Sequence, residues 1–188
     1  MTIVVEDGTG KPDANSYVSL AGLKAYADAR GLAYGTDDNA IQAALIRATA
    51  WLDATYRARF PGVRSNAGQA LQWPRRAGHY EYGVYVTDRY STTVYDAEGV
   101  PIAVNSVPQV LVNAECEAAV REIASPGGLA PDLDRGGAIT RLQAGSVEIE
   151  YSGNAPAGTT YQAIDAVLSS ILTGGSESSS FSARAVRA

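Results

Sequence analysis

Apolar residues recur at three- and four-residue steps in four stretches of the chain, the pattern of amphipathic helices. The longest runs from Asn39 to Phe60, NAIQAALIRATAWLDATYRARF. Ile41, Ala44, Leu45, Ala48, Trp51, Leu52 and Thr55 form one stripe, and Ala43, Ile46, Ala50 and Ala54 fall on the opposite side. A helix apolar on two sides is expected at the centre of a fold, packed by two layers, with wet edges only around Arg47 and Asp53. Asp37 or Asp38 caps its start, where backbone N–H groups lack partners. Asp53 and Arg57 stand four apart in the favourable acid-first order and are expected to pair. Pro61-Gly62 ends the helix. Leu45, Trp51 and Leu52 are its core anchors.

A shorter helix is predicted over about Leu20 to Arg30, with Ser19 as N-cap, Gly31 as stop, and Leu20, Leu23 and Ala27 inward beside Tyr26. A third starts near Val107, where Ser106-Val107-Pro108-Gln109 fits a capping box with proline in the first turn. Val107, Val110, Leu111, Ala114 and Ala118 line one side of it, and Val112, Cys116, Ala119, Val120 and Ile123 the other. It is the natural packing partner of the long helix, with Leu111 as anchor, and stops at Ser125-Pro126-Gly127-Gly128. A fourth opens at the capping box Thr159-Thr160-Tyr161-Gln162 and reaches about Leu172, with Ile164, Val167, Leu168, Ile171 and Leu172 as its stripe.

Between the helices the period changes. Ile3-Val4-Val5-Glu6 reads as a short strand, followed by turn residues through Asp13. Residues 61–79 are irregular, with Leu71 and Trp73 as anchors; Pro74 forces Gln72-Trp73 out of helical geometry, so that Trp73 is expected to cover the core. Residues 80–98 hold five of the eleven tyrosines and β-branched valines, which predicts a β-hairpin projecting from the body over 78–98. Residues 139–151 predict a second hairpin turning at Ala144-Gly145, with Val147, Ile149 and Tyr151 on a buried face and Glu148 and Glu150 on a wet one. From Thr173 the chain is Gly/Ser-rich and aperiodic. The expected fold is mainly α: a small bundle of about four helices over residues 1–172, short β-hairpins, and a flexible C-terminal arm over 173–188. The arm is either a frayed terminus or a strap that orders on a partner through Phe181, Arg184, Val186 and Arg187.

Composition narrows the chemistry. The 188 residues, 46% hydrophobic, suit one globular domain with an appendage. A net charge of -5 gives no general attraction for phosphates, so nucleic acid would have to find a local basic patch. The candidates are Arg57, Arg59, Arg64, Arg75-Arg76, and Arg89 among the tyrosines. Tyrosines interleaved with arginines serve base stacking, and equally serve protein interfaces. At this net charge the second use is favoured, and Tyr82, Tyr85, Arg89 and Tyr90 are candidate inter-subunit contacts. The single cysteine, Cys116, excludes an internal disulfide and sits on an apolar stripe, as a structural thiol does. The single histidine, His79, lies in a Gly/Tyr-rich connection. No G-x-S-x-G elbow, phosphate loop or G-x-G-x-x-G occurs. Asp132-Leu133-Asp134-Arg135-Gly136-Gly137 lacks the acidic end and spacing of a calcium loop. The expectation is therefore no catalytic residue, no metal and no cofactor, and no apolar run of the roughly 18 residues that a membrane span needs.

Five segments in order carry a resemblance: MTIVVEDGTGKPDANSYVSL, ALIRATAWLDATYRARFPG, QALQWPR, SVPQVLVNAECEAA, and PDLDRGGAI…VEIEY…APAGTTYQAID. Together, over about residues 1–172, they are similar to a family of small tailed-phage and prophage proteins, variously labelled DnaT-like single-stranded DNA-binding proteins or head-tail connectors of the neck. Residues 78–95 look like an insertion. The connector resemblance implies a virion protein, assembled in the host cytoplasm, that forms a homo-oligomeric ring, normally of twelve copies, under the portal protein. Its arm would dock on the portal, another face would meet a stopper or tail terminator, and double-stranded DNA would pass through the lumen without sequence-specific binding. The DnaT-like label implies instead a replication accessory protein with a basic, aromatic groove. An acidic chain fits the connector better.

Overall fold

The computed structural model describes residues 2–81, 84–87, 92–130, 141–144, 147–150 and 161–173; for 79–81, 84–87, 141–144 and 147–150 it describes the backbone alone. Among these residues the fold is mainly α, with helices α1 (Leu20–Asp28), α2 (Asp38–Tyr56), α3 (Gln109–Ala124) and α4 (Gln162–Leu168), the last running into a 3-10 turn at Ser169–Ile171. Four antiparallel two-stranded ribbons complete it. β1 (Val63–Arg64) pairs with β2 (Arg75–Arg76), β3 (Gly78–Glu81) with β4 (Val84–Thr87), β5 (Val94–Tyr95) with β6 (Pro101–Ile102), and β7 (Arg141–Ala144) with β8 (Val147–Glu150). No helix among the described residues is long and apolar enough to cross a membrane.

Local chemistry sets most helix ends. The Ser19 hydroxyl accepts from the Gly22 N–H at 3.0 Å, which starts α1 as its spacing predicts. Gly31, at φ 63°, lets the chain turn back so that the Leu32 N–H reaches the Ala27 carbonyl. Asp37 rather than Asp38 caps α2, accepting from the Asn39 N–H at 2.9 Å. The capping box expected at Ser106 does not form. The Ser106 hydroxyl donates to the Ala103 carbonyl, Pro108 occupies the cap position without a side-chain acceptor, and α3 begins two residues later than Val107. Thr159 and Thr160, the other expected cap, lie outside the described residues.

The first strand is absent as well. Val5 and Ser16 form a lone parallel bridge, and the buried Glu6 carboxylate accepts from the N–H groups of Gly8, Gly10 and Lys11. The chain after residue 5 wraps around that carboxylate instead of running on straight. The expected single ribbon over 78–98 is two, β3–β4 and β5–β6. In the later ribbon Ala144 faces Val147, so the strands are joined one residue later than the turn expected at Ala144-Gly145; the two-faced alternation of side chains there lies outside the described residues.

The central helix is α3, not α2. It packs broadly against α1, α2 and α4, whereas α2 packs chiefly on α3 and touches α4 at its end, where the Tyr56 hydroxyl donates to Asp165 at 2.7 Å. The inner stripe of α2 is buried at Ile41, Ala44, Leu45, Ala48 and Leu52, but Thr55 is exposed, and on the opposite face Ala50 and Ala54 are open to solvent. Leu23, Leu111, Ile164 and Leu168 complete the core with Trp73, which is 0% exposed and lies across it as its segment predicts. Trp51 is not a buried anchor. It is half-buried at the rim between α2 and α4, edge-on to Tyr56 at 5.9 Å and to Tyr161 at 5.3 Å.

Candidate nucleic-acid interface

α2 ends at Tyr56 because the next residues turn. Arg57, Ala58 and Arg59 make one loose turn, and Gly62 follows at φ 62°. A Cβ at Gly62 would stand 2.3 Å from the Arg76 carbonyl oxygen and 2.7 Å from Val94, so only glycine allows β1 to lie this close to β2. The loop that joins the two strands is ordered from within by Gln69. This buried amide accepts from the Asn66 N–H at 3.0 Å and donates to the carbonyls of Leu71 at 2.8 Å and Pro74 at 3.0 Å. The Trp73–Pro74 peptide is cis.

Arg75 closes the arrangement. The residue is 5% exposed, and its guanidinium donates to the carbonyls of Pro61 at 2.7 Å and Gly62 at 2.6 Å, and to the Gln72 side-chain oxygen at 3.1 Å. It also stands over the Phe60 ring, 5.7 Å from its centroid. One planar fork thereby joins the turn after α2 to the loop before β2.

Around these groups lies a cavity of about 520 Å3, lined by Arg57, Arg64, Arg75 and Arg76 together with Phe60, Val63 and Gln72. Among the described residues no acidic side chain lines it. Arg57 and Arg64 are exposed at its rim, Arg64 donating to the Gln69 carbonyl at 3.1 Å. Four of the arginines singled out in the sequence are thus brought to one place. Arg59 is not among them: it stands 3.9 Å from Asp165 and over the Tyr56 ring at 5.8 Å. Arg89, Tyr82 and Tyr90 lie outside the described residues, as does the side chain of Tyr85, whose backbone pairs with Tyr80 in the β3–β4 ribbon. Phe181, Arg184, Val186 and Arg187 lie outside them too. The root of the arm is placed: Thr173 donates both its N–H, at 2.7 Å, and its hydroxyl, at 3.0 Å, to the Arg59 carbonyl.

Behind the cavity is a polar core that the apolar pattern hides. Asp53 does not pair with Arg57. Its Oδ1 accepts from the Tyr17 hydroxyl at 2.7 Å and its Oδ2 from the Gln72 N–H at 2.9 Å. Burial lifts its carboxyl to about 6, against the pull of those two hydrogen bonds and of the Arg75 and Arg64 charges. Glu115, fully buried on α3, accepts from the Tyr17 N–H at 2.8 Å and meets the hydroxyls of Ser16 and Thr49. Burial pushes it up to about 8. The geometry accommodates the neutral acid. Ser16 and Thr49 also lie within reach of the Val18 and Leu45 carbonyls, at 2.7 and 2.9 Å. Each can donate there, leaving the Ser16 oxygen to accept the Glu115 proton. Glu122, also buried, bonds Arg47 and the Gly127 N–H. A heptad step gives these acids away: Leu111, Glu115, Ala118 and Glu122 share one helical face.

Cys116 is buried, and its thiol is pushed up to about 12, first by burial and then by Glu115, which removes any thiolate at neutral pH. Among the described residues no group of three or more His, Cys, Asp or Glu side chains is placed to hold a metal ion. A family model described as "Putative DnaT-like ssDNA binding protein" matches residues 1–188. Neither the curated proteins nor the solved structures yield a match.

Proposed function

The chain belongs to this DnaT-like family, and on that premise we propose that it binds single-stranded DNA at the arginine cavity. The observation that carries the reading is the convergence of Arg57, Arg64, Arg75 and Arg76 on one cavity in a chain of net charge -5. The strand's phosphates meet Arg57 and Arg64 at the rim and release counterions there. Arg75, already bonded to carbonyls, adds charge from below and keeps the floor in shape before any ligand arrives. Phe60 and Val63 give the floor apolar surface. Contacts of this kind hold a backbone without reading base edges, so binding is tolerant of sequence.

A salt titration tests this. Fluorescence anisotropy of a labelled oligothymidylate should show affinity falling linearly on log–log axes with salt. Arg57→Ala and Arg64→Ala should each weaken binding to all sequences alike and reduce the slope by about 0.7. Affinity that is absent, or indifferent to salt, overturns the reading.

A second reading is the ring-forming neck adaptor of a tailed phage. It draws support from the outer face of α2, where exposed Ala50 and Ala54 let another backbone approach closely, and from the resemblance already described. The family's description names single-stranded DNA binding and no capsid, portal or neck component, so this reading stands second. Native mass spectrometry of the purified protein, alone and with a portal, separates the two. Rings or portal-bound copies that vanish on deletion of residues 174–188 favour the adaptor; a monomer that never joins a portal removes it.

A further inference from the structure

We propose that Asp53 makes the hold of the arginine cavity on phosphodiesters proton-linked: its carboxylate takes up a proton as the anion enters, so affinity rises as the solution is acidified. The inference rests on the cavity being the DNA site.

Asp53 stands directly behind the cavity wall. Its Oδ2 accepts from the N–H of Gln72, a lining residue, whose side-chain oxygen in turn accepts from Arg75. The charges of Arg75 and Arg64, both lining, already act on it. Among the described residues no carboxylate lines the cavity itself. The groups facing Asp53 come from every packed element. Tyr17, in the segment before α1, donates its hydroxyl. Arg64 and Arg75 act from β1 and β2, Glu115 from α3 adds a repulsive charge when ionised, and Arg57 lies four residues on, at the C-cap of α2.

A phosphodiester brought to these arginines places a negative charge near a half-buried carboxylate and competes with it for their field. Like charges favour the neutral acid. Asp53, at about 6 in the free protein, is poised to respond close to neutrality. By linkage, whatever raises the carboxyl on binding also raises the affinity at lower pH. If binding lifts it by about one unit, affinity gains roughly six-fold between about pH 7.5 and 5.5, with uptake of about half a proton near pH 6.5.

The experiment titrates the full chain with a short oligothymidylate, whose bases carry no charge that changes in this range. Calorimetry at about pH 6.5 in two buffers of different ionisation enthalpy counts the protons taken up by the wild type, and needs no variant that might misfold. Asp53→Asn, checked for a native-like unfolding transition, should bind with an affinity that no longer varies with pH, and should take up no protons. His79→Gln controls for the one histidine and should retain the uptake. Zero uptake in the wild type, uptake lost in His79→Gln, uptake kept in Asp53→Asn, or affinity that falls on acidification each overturns the inference while leaving the DNA site in place. Absence of binding at every pH and salt concentration overturns both.

Discussion

The hydroxyl of Tyr17 lies 2.7 Å from Oδ1 of Asp53. It donates to that carboxylate and accepts from the N–H groups of Gln72 at 3.0 Å and Trp73 at 3.2 Å. A residue that belongs to no helix therefore fastens the loop before β2 to α2. Tyr17→Phe removes the bridge without opening a cavity. It leaves one buried N–H unpaired and strips the Asp53 carboxylate of a donor. Stability should fall by about 1–3 kcal/mol, read from urea unfolding, and DNA affinity should fall with it as the loop loosens.

Glu115 predicts the pH profile of stability. Its carboxyl is raised from an ordinary 4.5 to about 8, so between those values the folded chain holds a proton that the unfolded chain has lost. Stability is then full below about 4.5 and declines as pH rises toward 8, at a slope of at most about 1.4 kcal/mol per pH unit. Asp53 contributes with the same sign between 3.8 and about 6. Glu115→Gln mimics the neutral acid and should flatten the higher part of the profile in denaturant melts taken across this range. A wild-type profile rising with pH would contradict the assignment.

The two tryptophans should differ. Trp73 is fully buried against Phe60, with ring centroids 5.8 Å apart, and Trp73→Ala should cost about 3–5 kcal/mol. Trp51 is half-buried, so Trp51→Ala should cost about 1–2 kcal/mol, mainly its edge-on contacts with Tyr56 and Tyr161. Chemical denaturation of both variants tests the ranking.

Gly62→Ala should damage the cavity more than the core. The added Cβ meets the Arg76 carbonyl in a left-handed backbone, and β1 must part from β2. The expected loss is about 1–3 kcal/mol, together with weaker oligothymidylate binding at low salt. Unchanged binding would show that the β1–β2 spacing does not shape the site.

The apolar period was a sound guide wherever burial follows hydrophobicity. It located the four α-helices of the described residues, the inner stripe of α2 and the burial of Trp73. It failed where a polar group is buried with its partners. Glu115 and Glu122 interrupt an apolar run, and a pattern of hydrophobic positions skips them, although their heptad spacing from Leu111 puts them inside. Asp53 reads as a surface acid four residues from Arg57 because a local pairing rule cannot know that Tyr17 and Gln72 arrive from elsewhere. The two-faced look of α2 misled for a related reason: alanines are as compatible with an open face as with a packed one, and centrality went to α3. The arginines were visible as candidates one by one, but their convergence depends on β1 pairing with β2 across the loop that Gln69 orders. That is a tertiary fact.

Thr173 hangs from the Arg59 carbonyl by two hydrogen bonds, its N–H and its hydroxyl. Mechanically, traction on the C-terminal residues is delivered at that peptide before it reaches α4. The load falls on the turn that carries Arg57 and Phe60, so a tug at the end of the chain is felt first by the mouth of the cavity.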